Sequence, residues 1–310
     1  MKRWINQRNI LLTYMLICLT ACSAQSPKAP LYQRSMVRQG QPRVALVLGA
    51  GGARALAHLG VLKVLEDEGI PIDLIVGSSA GAMIGALYAD CPNAERVKEK
   101  VIDLKKEDLL DPSLAGLVMA PIRHTGPVKG EALENFLSAR LEAKTFHALK
   151  IPLVLTATDI ENHRLVILKR GALVPAIHAS AALPPLFAAV KLNHQTLVDG
   201  GVMAPVPVEV ARTFNPLFII AVDISTEPVK EPVTGVLDLL DRAFQICFYE
   251  LSRVQSKQAD FLIHPNMNGY GTFDDQYNSQ LYENGKATAR AGMQDLKKAL
   301  KAQGIALQKR

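Results

Sequence analysis

Three short stretches carry side chains whose types and spacing suit acyl transfer. Gly77-Ser78-Ser79-Ala80-Gly81 fits the pattern G-x-S-x-G, with Ser79 at its centre. Such a pattern serves a sharp strand-to-helix turn, in which small neighbours let one hydroxyl be pushed into strained exposure. A helix starting directly after Ser79 would aim its leading amides and dipole at negative charge developing beside that hydroxyl. Gly49-Ala50-Gly51-Gly52-Ala53-Arg54 is a glycine-rich loop. Its amides can turn inward to hold an oxyanion, and Arg54 can fix the loop or bind a phosphate. Asp199-Gly200-Gly201 presents a carboxylate on a turn built for tight bending. Taken singly each has a bland reading: Ser79 as a helix N-cap, the first loop as a dinucleotide phosphate loop, Asp199 as an ordinary Asp-Gly turn. The dinucleotide pattern G-x-G-x-x-G fails at its third glycine, where Arg54 stands, and has no place for a serine elbow.

These residues need elements to hold them. Arg43 to Leu48 is a short β-branched and aliphatic run between Pro42 and Gly49, and reads as a buried strand. Leu56, Leu59, Leu62 and Leu65 recur at helical spacing before Gly69. Asp73 to Val76 reads as a second buried strand, and the serine turn feeds a helix reaching Tyr88. Strand, helix, strand, helix in this order predicts a parallel sheet covered on both faces. Adjacent parallel strands lie about 4.8 Å apart, so neighbouring strands would bring the glycine-rich loop and Ser79 to one sheet edge. Further along, helices are expected over 92–106, 130–141, 172–182, 207–212, 236–257 and 280–302. Strands are expected over 152–158, 164–168, 216–222 and 260–263, and a hairpin over 191–198 with Asn193-His194 at its turn. Leu109 to Pro127 has no period and reads as a loop; its apolar residues from Ser113 to Ile122 suggest a cover over the site entrance.

The three stretches together, in this order and spacing, resemble the patatin-like phospholipase family. Ala57-His58-Leu59-Gly60-Val61-Leu62, Thr158-Asp159, Ala179-Ser180 with Pro184, and Ala221-Val222-Asp223 resemble its bacterial branch. The resemblance covers about residues 43–265. It implies an α/β fold, a three-layer α/β/α sandwich around a mostly parallel central sheet. It implies Ser79 as nucleophile, Asp199 as base, and an oxyanion hole from Gly51, Gly52, Ala53 and Arg54. Ala50 and Ala55 stand where the family usually has glycine, so Ala50 needs a negative φ or some strain.

The implied chemistry is hydrolysis of carboxylic esters in phospholipid or lysophospholipid through an acyl-enzyme, with neither cofactor nor metal. An acyltransferase using the same dyad, or a lipid-binding protein without activity, are the alternatives. A carboxylate with an ordinary pKa of about 3.9 is a weak base for serine, so burial must raise it or the oxyanion donors must supply much of the rate. A Ser-Asp-His triad is the rival mechanism; His264 is the one histidine after Asp199. His58 and His178 fall on expected helices and read as structural.

Composition sets the surroundings. The chain has 310 residues, 49% of them hydrophobic, and a formal charge of +6. Its start is basic (Lys2, Arg3, Arg8), and an apolar run from Ile10 ends in Leu19-Thr20-Ala21-Cys22. The run is short for a membrane span and fits a secretory signal, and its end resembles a bacterial lipobox. Residues 1–21 are therefore expected to be a lipoprotein signal peptide and Cys22 to carry lipid (diacylglycerol, with palmitate-type chains). Residues 22–42 are expected to be a flexible tether and 43–310 the acyl hydrolase domain. Ser23 after the cysteine resembles lipoproteins of the outer membrane, so the expected location is the cell envelope, with the outer membrane preferred over the inner. Without residues 1–21 the charge falls to +3, which is no nucleic-acid signature. Cys91 and Cys247 are too few for a disulfide framework and read as small buried hydrophobes.

Overall fold

The computed structural model describes residues 41–111, 126–271, 274 and 276–308. The chain divides after Arg38, and the described residues all belong to the unit Gln39–Arg310. Strand β1 (Val44–Leu48) is buried along its whole length, as its aliphatic sequence demands. The chain then makes one tight helical turn, Gly52–Ala55, and enters α1 (Leu56–Asp67). Next come β2 (Leu74–Ser78), α2 (Ala80–Asp90), α3 (Ala94–Val101), α4 (Glu131–Arg140), β3 (Leu153–Asp159) and β4 (Arg164–Leu168). After α5 (Leu173–Ala181), strands β5 (Val190–Leu192) and β6 (Gln195–Asp199) form a hairpin. Helix α6 (Val208–Arg212), β7 (Phe218–Val222), α7 (Val236–Ser256), β8 (Phe261–Ile263) and α8 (Asn278–Ala302) complete the order.

The strands form one sheet in the order β5-β6-β3-β2-β1-β7-β8, with β4 on the free side of β3. The stretch from β3 to β8 is parallel; β4 and β6 pair antiparallel with β3, and β5 pairs antiparallel with β6. Side chains alternate across a strand, so a sheet buried on both faces reads as continuous apolar runs. Val44, Leu46, Leu48, Ile75, Ile220 and Val222 join one large core with α1, α2, α5 and α8. The interleaved Ala45, Val47, Val76, Ile219 and Ala221 are buried as well, beneath the face crossed by α6. This is the expected three-layer α/β/α arrangement with a mostly parallel sheet.

Two register details prepare the site. Ser78, the last residue of β2, pairs with Thr156 of β3. Where β2 ends, β6 takes over the same edge of β3, and Asp199 pairs with Ala157. The ends of β2 and β6 therefore meet on consecutive rungs of one strand.

Two local expectations are corrected. The helix expected to reach Lys106 stops at Val101, because the Asn278 side-chain amide takes the carbonyls of Ile102 and Leu104 at 3.0 and 2.9 Å. Cys91 is half-buried against the core, but Cys247 is exposed on α7 and is not a core residue. The suggested cover from Ser113 to Ile122 lies outside the described residues.

Candidate active site

Ser79 sits between β2 and α2 with φ 53° and ψ −116°. Residues other than glycine avoid that region, and such strain persists only where the surrounding structure imposes it. Here the imposing contact is close packing: a Cβ on Gly81 would lie 2.0 Å from the Leu48 carbonyl oxygen. Helix α2 can start directly after Ser79 only because position 81 lacks a side chain. The Ser79 amide donates to Ser180 Oγ on α5 at 3.1 Å, and its carbonyl accepts from the amides of Ala82 and Met83. The hydroxyl is thus the one polar group of Ser79 left for chemistry. Gly77, Ser78, Ala80 and Gly81 build the turn; Ser78 Oγ is buried without a partner among the described residues.

Ser79 Oγ donates to Asp199 Oδ2 at 2.6 Å. Asp199 Oδ1 accepts from the Gly201 amide, also at 2.6 Å. The Asp199 backbone is held from both sides: its amide donates to the Ala182 carbonyl at 3.0 Å, and its carbonyl accepts from Thr158 Oγ1 at 3.0 Å. Gly200 lets the chain turn away immediately, since a Cβ there would lie 2.4 Å from the Thr156 carbonyl oxygen. Burial pushes the Asp199 carboxyl up from its ordinary 3.8 to about 6, against the lowering effect of its bonds from Ser79 and Gly201. A carboxyl with an ordinary pKa would be a poor proton acceptor for serine; burial makes this one a stronger acceptor.

The glycine-rich loop lies across the same cavity. Gly49 and Ala50 donate to the carbonyls of Val222 and Pro205 at 3.0 and 2.8 Å, so these two amides are occupied. The turn Gly52–Ala55 makes its first internal bond from the Arg54 amide to Gly51 O, at 3.4 Å. The leading amides of Gly51, Gly52 and Ala53 therefore have no acceptor within the turn. All three residues line the cavity with Ser79 and Asp199. Arg54 differs: its amide is spent in the turn, and its buried guanidinium donates to Gly51 O at 3.1 Å and Tyr270 O at 3.4 Å. Of the two uses open to it, fixing the loop is the one its contacts serve. Burial lowers its pKa from 12.5 to about 10, opposed by the Asp223 carboxylate, so it stays a cation at neutral pH. Ala50 is not among the residues with positive φ, and Ala55 has φ −48°, so neither departure from glycine strains the backbone.

The histidines divide cleanly. His58 is fully buried, with Nε2 2.8 Å from the Gly49 carbonyl, and burial drives its pKa down to about 4. It is neutral, donates from Nε2, and braces the glycine-rich loop. His178 Nδ1 meets Glu134 at 2.8 Å. His264 is turned to the Asp223 carbonyl at 2.8 Å and does not line the cavity of Ser79. A triad through His264 has no geometry here.

The cavity holds about 1120 Å³, enough for acyl chains, and its walls are mainly apolar. Met83, Leu109, Leu183, Leu240, Phe244 and Phe248 contribute to them. Sequence reasoning assigned no role to Ser180, Thr158 or α7 in this site. The amphipathic pattern of α7 was visible, but not the direction of its apolar face.

Comparison with known proteins gives the family and the fold. The family model described as patatin-like phospholipase matches residues 46–212, more than half of the chain. Patatin-like phospholipase domain-containing protein 6 of Mus musculus is 35% identical over 190 residues, which cover 59% of this chain but 14% of that protein. An uncharacterized NTE family protein of Mycobacterium tuberculosis is 34% identical over 184 residues, covering 59% of this chain and 49% of the relative. The chain thus spans less than half the length of these curated relatives. Among solved structures, VipD from Legionella pneumophila superposes with a TM-score of 0.51 at 13% identity, over 85% of this chain and 67% of that one, a likeness of fold. With its motifs, fold and family match in agreement, the chain belongs to the patatin-like phospholipase family.

Proposed function

We propose that the chain is a serine acyl hydrolase that cleaves the carboxylic esters of phospholipids or lysophospholipids through a Ser79–Asp199 dyad and an acyl-enzyme. Patatin-like phospholipases act on lipid substrates. The observation that carries the finer reading is the 2.6 Å bond from Ser79 Oγ to a buried Asp199 carboxylate in an apolar cavity. Asp199 takes the hydroxyl proton as Oγ attacks the ester carbonyl. The amides of Gly51, Gly52 and Ala53 stabilise the tetrahedral oxyanion. Collapse breaks the ester C–O bond, and the departing alkoxide takes the proton back from Asp199. Water then adds to the acyl-enzyme, giving its proton to Asp199; the fatty acid leaves and Ser79 is reprotonated. Neither cofactor nor metal enters these steps. The proposal extends to the N-terminus: cleavage after residue 21, lipid on Cys22, and a tether to residue 42 would hold the domain 43–310 at a membrane of the cell envelope, beside its substrate.

The test is a lipid profile of phospholipid and lysophospholipid vesicles treated with the purified chain, against Ser79→Ala. Free fatty acid released by the first and not by the second is expected. Equal release by a folded Ser79→Ala protein overturns the assignment, and ester products formed only with added alcohol acceptors turn it into an acyltransferase.

A further inference from the structure

Helix α7 leaves its apolar residues in solvent. Val236, Leu239 and Leu240 are 74, 55 and 61% exposed, and Phe244 is 38% exposed. The segment leading into the helix adds Val229 and Val233 at 53 and 45%. Val236, Leu240 and Phe244 follow each other at i, i+4, so they form one stripe of the helix with Leu239 beside it. Folded monomers rarely leave a contiguous patch of this kind without use.

The patch is continuous with the cavity. Leu240, Phe244 and Val229 line the space that holds Ser79 and Asp199 while their outer surfaces face solvent. Outside and inside are therefore one apolar surface that bends over the rim. The charged neighbours are of both signs, Lys230 and Arg242 beside Glu231, Asp238 and Asp241. Arg242 lies 4.0 Å from Asp238 and donates to the Glu231 carbonyl at 3.0 Å. This surface offers little to a strongly charged partner and suits an apolar, zwitterionic one. Among the described residues no helix is long and apolar enough to cross a membrane.

We infer that α7 and the segment at 229–233 form a bilayer-contact surface that seats the cavity mouth on zwitterionic phospholipid. Acyl chains then pass from the bilayer to Ser79 along a continuous apolar wall and never cross water. An amphipathic helix lying in the interface is the physical device. The inference rests on the proposed lipid-hydrolase reading for its purpose, and on exposure and continuity for its geometry.

The experiment reads orientation in the full chain. Trp4 is the only tryptophan and is removed as Trp4→Phe. Ser79→Ala keeps the lipid intact. A reporter is introduced as Leu239→Trp, or as Leu217→Trp, an exposed site beside Pro42 at the opposite end of the sheet. With phosphatidylcholine vesicles carrying brominated acyl chains, strong quenching is expected at position 239 and none at 217. Because both proteins share one N-terminus, attachment through that segment alone would not favour 239. Equal quenching, or none at either site, overturns the inference. In the active chain, Val236→Ser with Leu239→Ser, neither of which lines the cavity, should lower hydrolysis of phosphatidylcholine vesicles about tenfold. Hydrolysis of a short soluble ester should be unchanged, and equal loss on both substrates overturns the inference. A dimer that dissociates on the same double substitution, and that vesicles do not displace, assigns the face to a second copy instead. If no ester is hydrolysed by the unaltered chain, the catalytic reading fails while the quenching result still decides the surface.

Discussion

Asp199→Asn separates catalysis from stability, and the two should move in opposite directions. Asparagine keeps the shape of the side chain: its carbonyl oxygen can accept from the Gly201 amide, and its NH2 group can donate to Ser79 Oγ. It cannot take a proton, so ester hydrolysis should fall by about as much as in Ser79→Ala, on the order of 10⁴-fold. Stability should rise. The buried carboxyl titrates at about 6 in the fold against 3.8 ordinarily, so below pH 3.8 it is neutral in both states and the fold loses nothing. As pH rises through 6 the folded protein must hold a desolvated charge. At about 1.4 kcal/mol per pKa unit this costs about 3 kcal/mol, which the neutral amide avoids. Urea unfolding of both proteins from pH 4 to pH 8 measures it. The stability gap should open between pH 4 and 6 and stay level above. A variant no more stable at pH 7.5, or a gap that ignores pH, would refute a buried and ionised base, whatever the activity.

Further outcomes follow from the same contacts. The pH profile of kcat/KM on a soluble ester should rise with an apparent pKa near 6 and flatten above it, as expected for a base with the raised pKa of Asp199; a profile rising only below pH 4 would show an unperturbed carboxylate. His264→Ala should leave turnover within about threefold, since the ring is bonded to Asp223 O; a thousandfold loss in a folded protein would restore a triad. Ser79→Gly should abolish activity and stabilise the fold by about 1 kcal/mol, because glycine relieves the strained φ; chemical unfolding measures the gain, and a loss of stability would contradict the strain. In a bacterial host the N-terminal peptide should begin at an acylated Cys22 by mass spectrometry, whereas an intact Met1 or an unmodified Ser23 start would reject the lipoprotein signal.

What could be read ahead of the structure was local. The all-aliphatic Val44–Leu48 has few fates other than a buried strand, and Arg164–Leu168 was legible for similar reasons. Asn193 and His194, with φ 50° and 61°, form the primed turn that their types favour. The glycines around Ser79 were legible because a tight turn imposes them whatever surrounds it. Tertiary choices were not legible. Nothing near Gln195–Asp199 says that it lies antiparallel on the edge of β3 that β2 vacates, yet that register brings Asp199 to Ser79. The contact of Ser180 with the Ser79 amide spans 101 residues, and the early end of α3 depends on Asn278 far down the chain. Cys247 and the outward apolar face of α7 share one cause, since periodicity shows that a face exists and not what it meets.

If the proposed dyad acts on lipid, the meeting of β2 and β6 on consecutive rungs of β3 also governs when it can do so. Ser79 and Asp199 are 120 positions apart in the chain. Chain growth from the N-terminus delivers the serine first, and β1, α1, β2 and α2 can assemble while the aspartate is still unmade. During that interval, under the proposed dyad, the nucleophile has no base. The gap closes only after the β5–β6 hairpin has formed and found its edge, a long-range event that comes late in folding. Under the proposed dyad, a nascent or unfolded chain is thus unarmed by construction.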